Sequence, residues 1–263
     1  MAERHAAGSP ELWVARVPGQ VPYLEAVEIQ KRLRERRQAG EIADSLLLLE
    51  HPPTYTKGRR SEKADLPMGE EWYWSQGIEV HETSRGGRVT YHGPGQLVGY
   101  PIMDLRDDRP STSDGEGARP RDHPVRMDVI AFLRTMEGAI IQALADEGVE
   151  AEVREGLTGV WVGERKIGSI GLHVSRGVTM HGFAVNVDCD LQPFEWIVPC
   201  GIENVRMTSL YLETGLTEGM NCFRKRVAWR FAQAFGLRQR LVSPERLLGT
   251  SEGVAAPVES IPA

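Results

Sequence analysis

Residues 159–174 read GVWVGERKIGSIGLHV, with apolar positions alternating on either side of the turn Gly163-Glu164-Arg165. A period of two interrupted by a short polar turn predicts two antiparallel strands joined as a hairpin. Residues 181–188, HGFAVNVD, continue the pattern by alternating Phe183, Val185 and Val187 with smaller or polar residues. From about residue 150 onward the chain is therefore expected to build sheet.

Working outward, the residues before the hairpin carry a helix. Val129, Leu133, Met136, Ile140 and Leu144 form one apolar stripe ending at Gly148. Further upstream LWVARV reads as a first strand. Ala26, Ile29 and Leu33 recur at helical spacing in a segment ending near Gly40, and SLLLLE reads as a buried strand. HPPTYTKGRR (51–60) is expected to be loop, because paired prolines exclude helix and do not fit a central strand. A short helix at EEWYWSQG, strands at IEVHE and LVGYPIMDL, and a last helix over about 219–235 complete the reading.

The 263 residues are expected to form one domain with ragged ends: a flexible stretch over 1–11, a body over 12–241 and a flexible tail over 242–263. Residues 106–124, RDDRPSTSDGEGARPRDHP, have almost nothing apolar and are expected to form a polar loop insertion. Hydrophobic content of 41% and charged content of 26% fit a soluble globular protein, and a net charge of −6 argues against broad nucleic-acid binding. TKGRR (56–60) with Arg85 and Arg88 could dock an acidic partner, a solvated face being the default. The N-terminal residues lack the apolar core of an export signal and no segment approaches membrane-spanning length, so a cytoplasmic location without membrane partners is expected.

Cys189, Cys200 and Cys222 are odd in number and have no metal-ligand spacing, which indicates neither a disulfide framework nor a metal site. Cys200 sits between Pro199 and Gly201 after an apolar run. A small buried hydrophobe would satisfy that position, and chemistry there requires a second group able to change the thiol's ionisation. Lys166 lies on a predicted strand beside Gly168, Ser169 and Gly171, where an edge lysine that blocks sheet-to-sheet association is the default reading. RGGRVTYHGPGQ (85–96) packs four glycines and a proline around polar and aromatic side chains. It is suited to close backbone approach by a ligand, but it matches neither the P-loop nor the dinucleotide fingerprint, and composition alone fits a tight structural turn equally well.

Taken in order, RGGRVTYHGPGQLVGYP, GVWVGERKIGSIG, HGFAVNV and FEWIVPCGI resemble the lipoyl(octanoyl) transferases of the lipoate and biotin protein ligase superfamily, over roughly residues 12–240. The resemblance implies a single-domain α+β fold with a mixed, largely antiparallel sheet, helices on its outer side and an acyl-binding tunnel. It implies an acyltransferase, needing no cofactor, that moves octanoyl or lipoyl groups from acyl carrier protein to a lysine of lipoyl domains of 2-oxoacid dehydrogenases or of the glycine cleavage H protein. By the same resemblance Cys200 is the thioester nucleophile and Lys166 its assistant. Arg85, Gly86, Gly87, Arg88, Val89, Thr90, Tyr91 and His92, with Ser169, Ile170, Gly171, Gly182, Phe183 and Ala184, are implied to border the acyl chain and its carbonyl. His92 is given no acid–base role. A thiol with a reference pKa of about 8.5 is only a few per cent thiolate at neutral pH, so Lys166 is expected either to lower that pKa as an ammonium or to take the proton as an amine. Backbone N–H groups near Gly171 or Cys200 are expected to face the oxyanion. The polar insertion and the loop carrying Lys57, Arg59 and Arg60 depart from the family's compact pattern. Three alternatives remain open: an ATP-dependent lipoate or octanoate ligase of the same fold, a non-catalytic acyl-binding protein, and a cysteine hydrolase.

Overall fold

The computed structural model describes residues 10–106, 127–201, 205–215 and 219–249; the side chain of Cys200 lies outside the described atoms. The first half comprises strand β1 (Glu11–Gln20), helix α1 (Tyr23–Gln38), β2 (Asp44–Glu50), β3 (Thr54–Lys57), α2 (Glu70–Ser75), β4 (Glu79–Glu82), β5 (Thr90–His92) and β6 (Gln96–Ile102), with a 3-10 turn at Lys63–Asp65. Then come α3 (Val129–Ala145), β7 (Glu152–Arg154), β8 (Leu157–Val162), β9 (Arg165–Ser175), β10 (Val178–Asn186) and α4 (Gln192–Glu195). A 3-10 turn at Pro199–Gly201 leads to β11 (Arg206–Met207), α5 (Leu210–Thr214), α6 (Gly219–Ala234), β12 (Arg238–Leu241) and α7 (Pro244–Leu248).

The main sheet runs β12-β1-β2-β6-β10-β9-β8-β7, with β11 added along β9, and a small sheet is ordered β4-β3-β5. Pairing is antiparallel from β2 through to β7 and parallel at β12–β1–β2, β9–β11 and β3–β4. The α+β class with a mixed, largely antiparallel sheet is as expected.

The uninterrupted leucines of SLLLLE serve both faces of a central strand, because alternate side chains point to opposite sides. Leu46 and Leu48 join Met136, Ile140, Leu144, Phe223 and Phe231 of α3 and α6, while Leu47 and Leu49 join Ala26, Ile29 and Leu33 of α1. Phe183 and Val185 likewise face the first layer and Ala184 the second. Helices thus cover both faces of the sheet, not one outer side. Asp128 caps α3 by accepting from the N–H groups of Ile130 and Ala131 at 2.8 and 2.9 Å. Met136, Ile140 and Leu144 are buried as the stripe predicts, whereas Val129 and Leu133 at its N-terminal end stay accessible and line a cleft.

Four expectations are corrected. Thr54–Lys57, read as loop, is β3; Pro52 and Pro53 precede the paired residues, so no ladder N–H is lost. Thr90–His92, inside the glycine-rich segment, is β5 and pairs with β3. The tail assigned to 242–263 begins with an ordered helix: Leu247 of α7 is buried in the α1 layer, and its carbonyl accepts from the Arg36 guanidinium at 2.5 Å. Two leucines in five residues are too few to show a helical period. At the N-terminus, Glu11 is already in register with Arg238, and Pro10 accepts a hydrogen bond from the Arg238 N–H at 2.9 Å. The remainder of both ends, and the insertion apart from Arg106, lie outside the described residues.

Candidate active site

Lys166 is not an edge residue. It sits on β9 between Trp161 of β8 and Met207 of β11 and is 1% exposed, so the default reading of an aggregation-blocking lysine is overturned. Room for its side chain comes from a missing one: a Cβ on Gly159 of β8 would lie 2.6 Å from Lys166 Cε and 2.5 Å from the Gly168 carbonyl oxygen. Gly159 also adopts φ +126, a conformation that L side chains rarely take. Its N–H donates to the fully buried Glu137 carboxylate at 2.9 Å, and Arg134 ion-pairs with that carboxylate at 2.6 Å. Lys166 Nζ stands 5.5 Å from the centre of the Trp161 ring.

Cys200 occupies the middle of the Pro199–Gly201 turn. The turn is closed by the Gly201 N–H donating to the Val198 carbonyl at 3.1 Å, and Gly201 has φ +69, in the left-handed region. Past this turn the chain returns as β11 beside β9. Met207 pairs with Lys166, and the Thr208 N–H donates to the Lys166 carbonyl at 3.0 Å. The strand of Lys166 is thereby hydrogen-bonded to a segment that begins six residues after Cys200.

Two connected clefts open beside them. The inner one is lined by Arg85, Gly87, Arg88, Thr90, His92, Ser169, Ile170, Gly171, Gly182, Phe183 and Ala184, and also by Tyr23, Val98, Tyr100 and His181, and it is partly open to solvent. The outer one shares Gly87, Arg88, Ile170 and Gly171 and adds Gly86, Gly201, Val129 and Leu133. Of the expected binding residues, Val89 and Tyr91 are the exceptions. They face away into the cluster of Tyr55, Tyr73 and Phe194, because alternation along β5 sends Thr90 and His92 to the cleft and their neighbours to the opposite side. Tyr23, Val98, Tyr100 and His181 were not singled out by the sequence. Val98 and Tyr100 do belong to the motif segment LVGYP and His181 to HGFAVNV, whereas nothing local marks Tyr23.

Arg85 is turned inward rather than toward a partner. It is 8% exposed, and its guanidinium donates to the Thr56 carbonyl at 2.5 Å and to Thr56 Oγ1 at 2.7 Å. Lys57 is ion-paired with Glu70 and Glu82, which leaves Arg59 and Arg60 as the exposed cations of the TKGRR segment.

The histidines around the inner cleft are held neutral. Burial pushes His51 down to about 4 and His181 to about 3, and drives His92 well below the ordinary imidazole range. His181 also adopts φ +57 and donates its backbone N–H to Gln30 Oε1 at 2.7 Å. Gln96 spends its amide N–H groups on the Tyr91 carbonyl and Asn186 Oδ1, so its oxygen accepts from His92 Nδ1 at 2.7 Å. That order leaves His92 Nε2 as an unprotonated acceptor. Asn186 in turn donates to the Thr208 carbonyl at 2.9 Å, linking the cleft wall to the segment that binds Lys166.

Of the other cysteines, Cys222 is exposed, and burial pushes the Cys189 thiol up to about 12, which keeps it protonated and unreactive. Among the described residues no group of His, Cys, Asp and Glu is placed to hold a metal ion, and no helix is long and apolar enough to cross a membrane.

Comparison with known proteins agrees with this architecture. The model of the lipoyl protein ligase A/B catalytic domain matches residues 22–232. An octanoyltransferase of Solibacter usitatus is 44% identical over 239 residues, covering 90% of this chain and 96% of that protein. One from Acidobacterium capsulatum is 47% identical over 201 residues, covering 74% and 78%. A putative lipoate protein ligase from T. acidophilum superposes with a TM-score of 0.61 at 16% identity, covering 92% of this chain and 93% of its own, a likeness of fold alone. The chain belongs to the lipoyl protein ligase A/B catalytic-domain family, among its octanoyltransferases.

Proposed function

We propose that this acyltransferase takes an octanoyl group from the thioester of an acyl carrier protein, holds it on Cys200 and delivers it to a lysine ε-amine of a lipoyl domain. The curated relatives carry the name octanoyltransferase, and the chain covers 96% of the length of two of them; lipoate biosynthesis is the pathway this reading implies. Lipoyl domains of 2-oxoacid dehydrogenases and the glycine cleavage H protein are the acceptors in this reading, and the cytoplasm is its location. The observation that carries it is the pairing of β11 with β9, which binds the segment following Cys200 to the strand of Lys166, whose residues Ser169, Ile170 and Gly171 line the inner cleft.

In the first step the Cys200 sulfur, its proton accepted by Lys166, attacks the donor carbonyl. A C–S bond forms, the carrier's C–S bond breaks, and the departing thiolate takes a proton from Lys166. One thioester replaces another, so the step is nearly isoenergetic and needs no nucleotide. The acceptor amine then attacks the acyl-cysteine; the Cys200 thiolate leaves, the excess proton on nitrogen passes to the Lys166–Cys200 pair, and an amide remains. Burying six methylenes at about 0.8 kcal/mol each contributes roughly 5 kcal/mol to acyl capture. Val98, Phe183 and Ala184 supply apolar wall for that chain.

The test is transfer without ATP. Wild-type protein given octanoyl-acyl carrier protein and a lipoyl domain should yield octanoylated domain, and Cys200→Ala should yield none. Product formed only from free octanoate and ATP would establish the ligase reading instead, and release of free octanoate without amide would establish the hydrolase.

A further inference from the structure

The turn that carries Cys200 is contacted at both of its ends by groups belonging or bound to one buried residue. Asp65, fully buried, accepts from the Val198 N–H through its backbone carbonyl at 3.0 Å, just ahead of the Pro199–Gly201 turn. Its carboxylate receives the Arg88 fork, with Nε 3.0 Å from both oxygens and Nη2 2.7 Å from Oδ1. Arg88 in turn lies against Gly201, where a Cβ would fall 2.6 Å from Nε and 2.7 Å from Cζ. The same carboxylate accepts the Glu62 N–H at 2.9 Å, and Glu62 adds a second contact to Arg88 at 3.0 Å. The residues that flank Cys200 in sequence, Val198 and Gly201, therefore meet respectively the Asp65 backbone and a guanidinium oriented by the Asp65 side chain.

We propose that Asp65 is a positioning residue for the Cys200 nucleophile, acting on one side through Val198 and on the other through Arg88. The inference rests on the reading of Cys200 as nucleophile. A buried carboxylate must be paired to be tolerated, and Arg88 alone would satisfy that requirement. The additional feature is that the pair encloses the reactive turn, so its loss should be felt in the chemistry as well as in stability. A displacement of about 1 Å in a reacting group can cost on the order of 100-fold in rate.

The experiment compares wild type, Asp65→Asn, Arg88→Gln, Arg88→Lys and the Asp65→Asn/Arg88→Gln double variant. Octanoylation of Cys200 by octanoyl-acyl carrier protein is timed by mass spectrometry. In parallel, alkylation of the Cys200 peptide by iodoacetamide is followed against pH. Expected are a saturating rate lowered roughly 10- to 100-fold in each of Asp65→Asn and Arg88→Gln, with donor KM unchanged in Asp65→Asn. The double variant should be no slower than the slower single, because both act through one grip. The pH profile of alkylation should rise in Arg88→Gln and return toward wild type in Arg88→Lys. Wild-type rates and pH profile in Arg88→Gln would overturn the proposal even if Asp65→Asn fails to fold, and so would additive losses in the double variant. Failure of wild type to accept octanoate on Cys200 would defeat the nucleophile reading separately, while the alkylation series would still report whether Asp65 governs Cys200.

Discussion

The side chain of Lys166 lies against the bare α-carbon of Gly159, where an added methyl would come within 2.6 Å of Cε and 3.2 Å of Nζ. A strand glycine is thus the seat of the amine on the next strand. Gly159→Ala is expected to displace Lys166 and strain a φ of +126, costing about 1–3 kcal/mol. Transfer should fall far more than stability does. Melting and turnover on the same sample check this, and full activity at wild-type stability would show that Gly159 does not shape the site.

Glu137 supports that glycine from the helix layer. Glu137→Ala leaves the buried Gly159 N–H without an acceptor and should cost about 1–3 kcal/mol, whereas Glu137→Gln keeps an acceptor and should lose less. Denaturant unfolding of the two variants distinguishes them by the order of their midpoints.

Gly99 of β6 is the cross-strand partner of Phe183, which lines the inner cleft. A Cβ there would meet the Phe183 ring, with Cε1 at 2.5 Å and Cε2 at 2.7 Å, so Gly99→Ala should push the ring into the acyl space. The variant should favour acyl chains shorter than octanoyl. One methylene is worth about 1–3 kcal/mol in such a pocket, which translates to roughly 10- to 200-fold in kcat/KM. Competition between hexanoyl and octanoyl donors gives the ratio directly, and an unchanged ratio would place the chain's end away from Phe183.

Acid should destabilise the protein through its buried imidazoles. A histidine whose folded pKa lies below its unfolded value near 6.5 binds fewer protons when folded, so stability is full above about 6.5 and is lost as pH falls toward the folded value. For His51, with burial pushing it down to about 4, the loss between those limits is on the order of 3 kcal/mol. His51→Gln should flatten the pH dependence of the unfolding free energy between pH 6.5 and 4 relative to wild type. Parallel curves for the two proteins would remove His51 as the source.

The parts of the fold with strong period were legible in the sequence: the hairpin of β8 and β9, the α3 stripe and the leucine run of β2. What escaped was structure fixed by partners distant in sequence. Thr54–Lys57 is a strand because β4 and β5 pair with it, and α7 is held by α1 and by Arg36. In the site, glycine-rich motifs marked the cleft walls but not which side each residue faces, so Val89 and Tyr91 were grouped with residues that point the other way. Tyr23 reaches the cleft from α1 with no local signal, and the grip of Asp65 on Val198 spans 133 positions.

The central claim is that Cys200 carries the acyl group. The most direct measurement is a rapid acid quench of wild-type protein mixed with octanoyl-acyl carrier protein, without ATP or acceptor, followed by peptide mapping. The account predicts one octanoyl group, labile to hydroxylamine, on the peptide containing Cys200. Adduct on another residue, or none while transfer to added lipoyl domain proceeds at full rate, would contradict it.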